Sequence, residues 1–471
     1  MGAPPSECVS VRLPPTAPTN GARRCGTQGN GRSNAYAVTA IGSQVFVAGH
    51  AYGNLTFTSN HATNGASGEI NDHTSVGVAH ATNSFAGGRY TDAASSQNSM
   101  DGIIYKISSA GVPQAVYAMD TTPSDGVYNS SSENGNSLGY NYMYAIDAFP
   151  DNQHVVGIGS FRGRLACPMG SAGESVLMNR KSGNYDGWAV KVDGTTMQGV
   201  WAVAPAQTAV GRNYFRNTKV TAAGHVIITG DKRPSRTYQG RLLKLNGADG
   251  SVVWLNDNYV GAYYFYGLEV IGEEAFVGGV VRGSNVDPFS TGAITSSSGA
   301  GFVSKVNSAG VHTWSKTMGS RVRSVAASPD GAHIYAYGEN AAAWTDGSCS
   351  VSGALGGLLV KLSATTGSCV WAKDIGQMLK VVADASFVYG IGYDDEPVAF
   401  GMGLTLESRG PEYDGWLLKW SASDGVGQWG MSIGGTGDDF TYDIALSASG
   451  GILLAGRTTS DAVDLAGVTI K

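Results

Sequence analysis

Charge is scarce in this chain. Only 14% of its 471 residues are Asp, Glu, Lys or Arg, the formal net charge is -6, and no basic block occurs, so a role that tracks nucleic-acid phosphates lacks its electrostatic footprint. No apolar run approaches the roughly 18 residues that a membrane-spanning helix needs. The opening "MGAPPSECVS" has no apolar segment of the signal-peptide kind, which leaves two expectations: a chain that starts after a removed signal, or one that stays inside the cell. Gly2 and Ser6 fit the loose myristoylation pattern, but two prolines follow Ala3 and no second membrane signal accompanies them. Sustained 3.6-residue periodicity is also missing, which argues against long amphipathic helices. Against 15 prolines stand 68 glycines, about twice the usual share, so the chain needs many turns.

What is present is repetition, and a period in the sequence decides the fold before any motif does. "MDGIIYKISSAGVPQAVYAMD", "YDGWAVKVDGTTMQGVWAV", "QGRLLKLNGADGSVVWLND", "GAGFVSKVNSAGVHTWSKTM", "LGGLLVKLSATTGSCVWAKDIG" and "YDGWLLKWSASDGVGQWGMSIGG" are six copies of one pattern. Lys106, Lys191, Lys244, Lys305, Lys361 and Lys419 are followed 9 to 11 residues later by Tyr117, Trp201, Trp254, Trp314, Trp371 and Trp429. Each copy reads as strand, glycine-containing turn and strand. A second pattern alternates with it, seven hairpins that end at Gly49, Gly159, Gly230, Gly279, Gly338, Gly392 and Gly456. Hairpin plus hairpin gives a four-stranded unit, and the spacing of about 50 to 70 residues suits a propeller blade.

Seven first halves and six second halves leave one partner missing. The N-terminal segment supplies it: Arg12 stands at the lysine position, Gly21 at the turn glycine and Cys25 near the tryptophan. The expectation is therefore an all-β, seven-bladed β-propeller, a single domain over 1–471, in which 1–36 and 437–471 share one closing blade and neither sheet edge stays exposed. The segment 50–100 interrupts the first blade. Rich in Ser, Thr, Asn, Ala and Gly, it is expected as a long loop insertion over the connector face or its edge. Its His61, His73 and His80 lack the cysteine or carboxylate spacing of a zinc or calcium site, and no metal is expected.

"WGMSIGGTGDDFTYDIALSASGGILLAGRT", with "DGWLLKW" before it, resembles the bacterial β-propeller repeat (SBBP) family, and "LSATTGSCVW" is similar to the tryptophan-docking motif of quinoprotein-like (PQQ-like) propellers. The resemblance covers nearly the whole chain and implies the architecture, often in an extracellular setting, more than any one activity. True quinone-cofactor dehydrogenases in that group use an adjacent-cysteine ring and an acidic base over calcium. This chain has no Cys-Cys pair, so no cofactor is expected. "GNSLG" at Gly135 to Gly139 matches the nucleophile-elbow pattern, but that motif needs a strand-to-helix turn and here occupies a blade connector.

Residues that recur once per blade are expected to fill the wedges between blades, the tryptophans by burial and the lysines by laying their stems across them. Function is expected where the repeats differ, in the blade-to-blade connectors that emerge on one face. These carry Tyr140, Tyr142, Tyr214, Tyr263, Tyr264 and Tyr266 with Arg212, Arg216, Arg321 and Arg323. Flat amphipathic rings beside forked donors suit sugars, carboxylates or a protein partner. An equal alternative is that these rings pack between blades and the arginines dress the rim. The functional expectation is a non-catalytic structural or binding module with a protein or glycan at the connector face, one unit of a larger surface assembly. The alternative is a quinoprotein-like or glycan-processing enzyme.

Cysteine usage speaks to compartment. Cys8 and Cys25 flank one hairpin turn and Cys349 and Cys369 lie 20 residues apart in the fifth blade, a spacing that allows two local bridges without fixing connectivity. Cys167 is left over, either a link between chains or a thiol. Asn54-Leu-Thr and Asn129-Ser-Ser are glycosylation acceptors. Together these features favour a secreted or cell-surface protein.

Overall fold

In the computed structural model every long regular element is a strand. The structure describes residues 7–13, 23–27, 32–52, 55–58, 68–72, 84–87, 101–108, 113–122, 140–170, 173–178, 185–205, 212–233, 238–260, 262–281, 299–339, 343–395, 398–399, 405–406, 412–460, 463–465 and 468–470.

Six blades form from four strands that are consecutive in the blade and antiparallel. Their innermost strands are Arg32–Ile41, Tyr140–Ala148, Arg212–Val220, Ala262–Ile271, Arg321–Ala327 and Lys380–Ala383. Each is paired to a second strand that ends just past one of the recurring glycines. Blade strands are covered on both faces, so they read as near-continuous apolar runs: His154–Arg162 is buried at every position except its two ends.

The expectation of a seven-bladed propeller is corrected: the structure shows six blades, not seven. These six follow the repeat; beside them stands a seven-stranded composite sheet, and the other sheets have only two or three strands. The composite sheet runs from Asp439–Leu446 and Ile452–Thr458 to Glu7–Leu13 and Arg23–Thr27, then to Leu55–Thr58, Gly68–Asp72 and Ser84–Gly87. Glu7–Leu13 pairs antiparallel with Ile452–Thr458, with Val9 opposite Gly456. Counting motif halves misses what an open outer edge attracts. Leu55 and Phe57 alternate with Thr56 and Thr58, a period-two pattern, and this strand adds to the edge of Arg23–Thr27. The segment 50–100 is thus not loop throughout. The last strands, Val463–Leu465 and Val468–Ile470, extend the sixth blade instead, with Leu465 opposite Ile433.

The core is divided among the interfaces between neighbouring sheets. One cluster joins Phe149, Ile158 and Trp201 of the second blade to Phe215, Ile228 and Leu243 of the third. Others join the sixth blade to the composite sheet through Ile391 and Ile444, and the composite sheet to the first blade through Leu453 and Val47, so the described cores close a ring.

The recurring lysine and tryptophan are part of this masonry. Five of the six lysines face their tryptophan across the hairpin, as Lys191 faces Trp201 and Lys244 faces Trp254, whereas Lys106 faces Ala115. The indole then docks on the next blade. Trp201 Nε1 donates to the Gly247 carbonyl at 3.1 Å, Trp254 to Ser308 at 3.0 Å, Trp314 to Ala364 at 3.3 Å and Trp371 to Ala422 at 3.3 Å. Lys191 Nζ donates to the same Gly247 carbonyl at 3.0 Å and Lys361 Nζ to that of Ala422 at 3.0 Å. The turn glycine is required twice over. Gly250, Gly310, Gly367 and Gly425 have φ of 74°, 82°, 70° and 70°, a region that suits glycine, and a Cβ there would press within 2.8 to 3.0 Å of the docked indole of the preceding blade.

Candidate functional site

The innermost strands of the six blades and of the composite sheet surround a central channel of about 680 Å³. Six of these seven strands share one irregularity, which Lys380–Ala383 of the sixth blade lacks. Register shifts between Ala35 and Ala37, Met143 and Ala145, Phe215 and Asn217, Phe265 and Gly267, Val322 and Ser324, and Thr441 and Asp443 leave a bulged residue at the corresponding place in each, and Ala262–Ile271 carries a second shift nearer its start. Those residues are Tyr36, Tyr144, Arg216, Tyr266, Arg323 and Tyr442, and all line the channel, with Leu379 from the sixth blade. A bulge re-aims a side chain at the expense of one ladder bond. It also folds a carbonyl inward: a Cβ on Gly49, Gly159, Gly230 or Gly456 would collide with the carbonyl of Asn34, Tyr142, Tyr214 or Phe440. The glycines that end the hairpins are therefore the sequence mark of the bulges.

Above the bulged residues lies a collar of rings. Phe440 stacks on Tyr442 at 5.8 Å, Tyr442 on Tyr36 at 5.4 Å, and Tyr142 on Tyr144 at 5.8 Å. Tyr185 stacks on Tyr214 at 5.3 Å, and Tyr264 meets Tyr238 at 4.8 Å and Tyr266 at 5.4 Å. Arginines cap the rings. Arg216 sits 5.2 Å from Tyr144 and 4.7 Å from Tyr214, Arg233 sits 3.6 Å from Tyr238, and Arg321 and Arg323 each sit 5.3 Å from Tyr266, all within cation–π range.

Two carboxylates hold these arginines, and each follows a recurring glycine. Asp231, after Gly230, takes Arg216 Nε at 3.1 Å and lies 3.5 Å from Arg233 Nε. Glu339, after Gly338, takes Arg321 Nη1 at 3.1 Å and also Arg323 Nε. Burial alone would lower Arg216, but the facing Asp231 carboxylate and Tyr144 outweigh it and hold the guanidinium raised. Burial pushes the Tyr144 hydroxyl up to about 12, opposed by Arg216. His50, at the corresponding position of the first blade and 3% exposed, lies 5.0 Å from Tyr36 and is pushed down to about 4 by burial.

Deeper in the channel the polar groups clasp one blade to the next. Asp147 accepts the Val220 amide at 2.7 Å, Ser324 Oγ the Val381 amide at 3.0 Å, and Asp443 the Val38 amide at 2.7 Å. Lys219 pairs with Glu269 at 3.1 Å, and Lys380 pairs with Asp443.

Of the residues expected at the connector face, Arg216, Tyr264, Tyr266 and Arg323 line the channel. Tyr142, Tyr214 and Arg321 join the collar through the ring contacts above. Arg212 is exposed at the rim, 6.0 Å from the Tyr185 ring. The side chains of Tyr140 and Tyr263 lie outside the described residues, as do those of Cys8 and Cys25 and the acceptors Asn54 and Asn129. The backbone register sets Cys8 opposite Cys25. Cys349 and Cys369 form a disulfide, and Cys167 is fully buried. Sequence reasoning missed Tyr36, Tyr144 and Tyr442, which only the bulge distinguishes from their neighbours. It also missed Asp231, Arg233, Glu339 and His50, whose signal is their place immediately after, or three residues beyond, a recurring glycine.

No family model matches the chain and no curated protein matches it in sequence, so the bacterial repeat family named above is not shown. The chain is similar in structure to the Dos1 propeller (TM-score 0.40, 8% identity, covering 92% of this chain and 93% of that one). It is similar to Sqt1 from Chaetomium thermophilum (0.44, 8%, 90% and 96%) and to BamB from Moraxella catarrhalis (0.31, 12%, 64% and 90%). Among the described residues no helix is long and apolar enough to cross a membrane.

Proposed function

We propose that this β-propeller is a non-catalytic binding module, secreted or displayed at a cell surface, whose protein or glycan ligand seats on the collar at the connector end of the channel. One observation carries the reading. The inner strands use their bulges to point Tyr and Arg side chains, rather than apolar packing residues, at one shared opening. A cavity of this size with a few convergent polar groups is the expected form of a small-ligand site. The Cys349–Cys369 disulfide supports an oxidising compartment.

The test is the double variant Tyr264→Ala with Arg323→Ala. Native ligand recovered on immobilised wild-type protein is expected to bind the variant about tenfold or more weakly, while the thermal unfolding midpoint moves little. Equal affinity in a folded double variant moves the site elsewhere.

A further inference from the structure

Consecutive blades place Arg216, Tyr266 and Arg323 at the same bulged position, so two guanidinium groups flank one aromatic ring on the channel wall. The two arginines are mounted alike. Each is tied by Nε to a carboxylate on the second strand of its own blade, Asp231 or Glu339, one residue past the recurring glycine. A second arginine, Arg233 or Arg321, shares that carboxylate. Two guanidinium groups against one carboxylate leave each mount with one uncompensated positive charge. Among the described residues no hydrogen bond takes the Nη groups of Arg216 or Arg323, whose side chains stay 29% and 30% exposed. A guanidinium fixed through Nε offers its Nη pair as a pre-set fork, the geometry that grips a carboxylate by two bonds.

The rest of the opening is aromatic, with Tyr36, Tyr144 and Tyr442 on the wall and one further cation, Arg457, which lies 5.6 Å from the Phe440 ring and hydrogen-bonds Tyr442. The acidic groups deeper in the channel do not compete, because Glu269 and Asp443 are paired with lysines and Asp147 accepts a backbone amide. Positive forks on one wall with tyrosine faces and hydroxyls around them suit a ligand that has carboxylates, flat apolar faces and many hydroxyls. An extended peptide instead docks along a sheet edge or a long groove, whereas these forks stand on separate blades inside a closed ring, reached end-on.

We infer that the mouth binds an acidic carbohydrate, a uronate-bearing oligosaccharide whose carboxylates engage Arg216 and Arg323 while a sugar ring lies against Tyr266. This rests on the collar being the binding site.

Calorimetric titration with a uronate trisaccharide, its carboxyl-reduced neutral counterpart and a glutamate tripeptide tests it. The uronate is expected to bind, and the neutral sugar to bind about tenfold to hundredfold more weakly, as is the uronate to Arg216→Gln or Arg323→Gln. Arg323→Lys, which keeps the charge and loses the fork, should recover little. Arg212→Gln, at the rim, should bind as wild type does, and unfolding midpoints show that each variant is folded. Equal binding of the neutral sugar, tighter binding of the glutamate tripeptide, or no binding of the uronate by wild-type protein overturns the inference. In that last case, loss of native ligand by the Tyr264 and Arg323 double variant would show that the collar reading stands and only the ligand class is wrong.

Discussion

The two faces of this propeller are written in the same repeat and use it in opposite ways. On the face of the hairpin turns, an indole, a lysine and a turn glycine recur, and the indoles of Trp201, Trp254, Trp314 and Trp371 each find a carbonyl of the next blade at 3.0 to 3.3 Å. On the connector face the backbone is just as regular, with a bulge at the same place in strand after strand, yet the bulged residue is Tyr, Tyr, Arg, Tyr, Arg and Tyr in turn. Uniform side chains on a uniform backbone make a joint. Varied side chains on a uniform backbone make a surface whose chemistry is free to be selected, because its shape is already supplied.

The sharpest way to break this comparison is at the joint. Trp201 is 6% exposed and packs at the second-to-third blade interface, with Gly250 of the next blade against its ring. Trp201→Ala removes a large buried side chain and should destabilise by about 3–5 kcal/mol in chemical denaturation. A loss below about 1 kcal/mol would mean that the recurring indole is not what joins the blades.

The joints were legible in the sequence because they are periodic. Lys191 and Trp201 could be aligned with five other pairs, and their facing register follows from hairpin spacing alone. The collar was legible only in outline. "GRNYFRN" and "GAYYFYG" showed that Tyr and Arg gather in the connectors, but which of two adjacent rings enters the channel depends on the bulge, and a one-residue slip reverses every side chain. Asp231 and Glu339 were invisible as a pair, since 108 positions separate them in the chain and only the ring makes them equivalent. The composite sheet was hidden for a different reason. Edge addition by Leu55–Thr58 obeys no repeat, only the presence of an open strand.

The connector face should also differ from the turn face in its response to pH. His50 carries its ordinary pKa near 6.5 when unfolded and about 4 when folded, because burial disfavours the charged ring. Between those values the unfolded chain binds more protons than the fold, so stability rises with pH there. The contribution is complete above pH 6.5 and is lost as pH falls from 6.5 towards 4, up to about 3 kcal/mol in all. Denaturant midpoints at pH 7.5 and 4.5 should therefore differ less in His50→Gln than in wild type. Identical pH dependence in the two proteins would show that the ring is solvated in the fold.

The smallest expected effect separates the two members of the joint. Lys191 is 8% exposed, lies 4.1 Å from the Phe149 ring and donates to the Gly247 carbonyl that Trp201 also uses. Burial works against its charge, holding the ammonium somewhat below its ordinary range with only Asp151 opposing. Lys191→Met keeps the apolar stem over Phe149, removes that opposed charge, and leaves the carbonyl satisfied by the indole. The variant loses one hydrogen bond to a charged donor and one cation–π contact, and gains relief from desolvation, so the net change should be about 1 kcal/mol or less. A loss as large as that of Trp201→Ala, measured in the same denaturant, would show that the ammonium rather than the indole locks the blades.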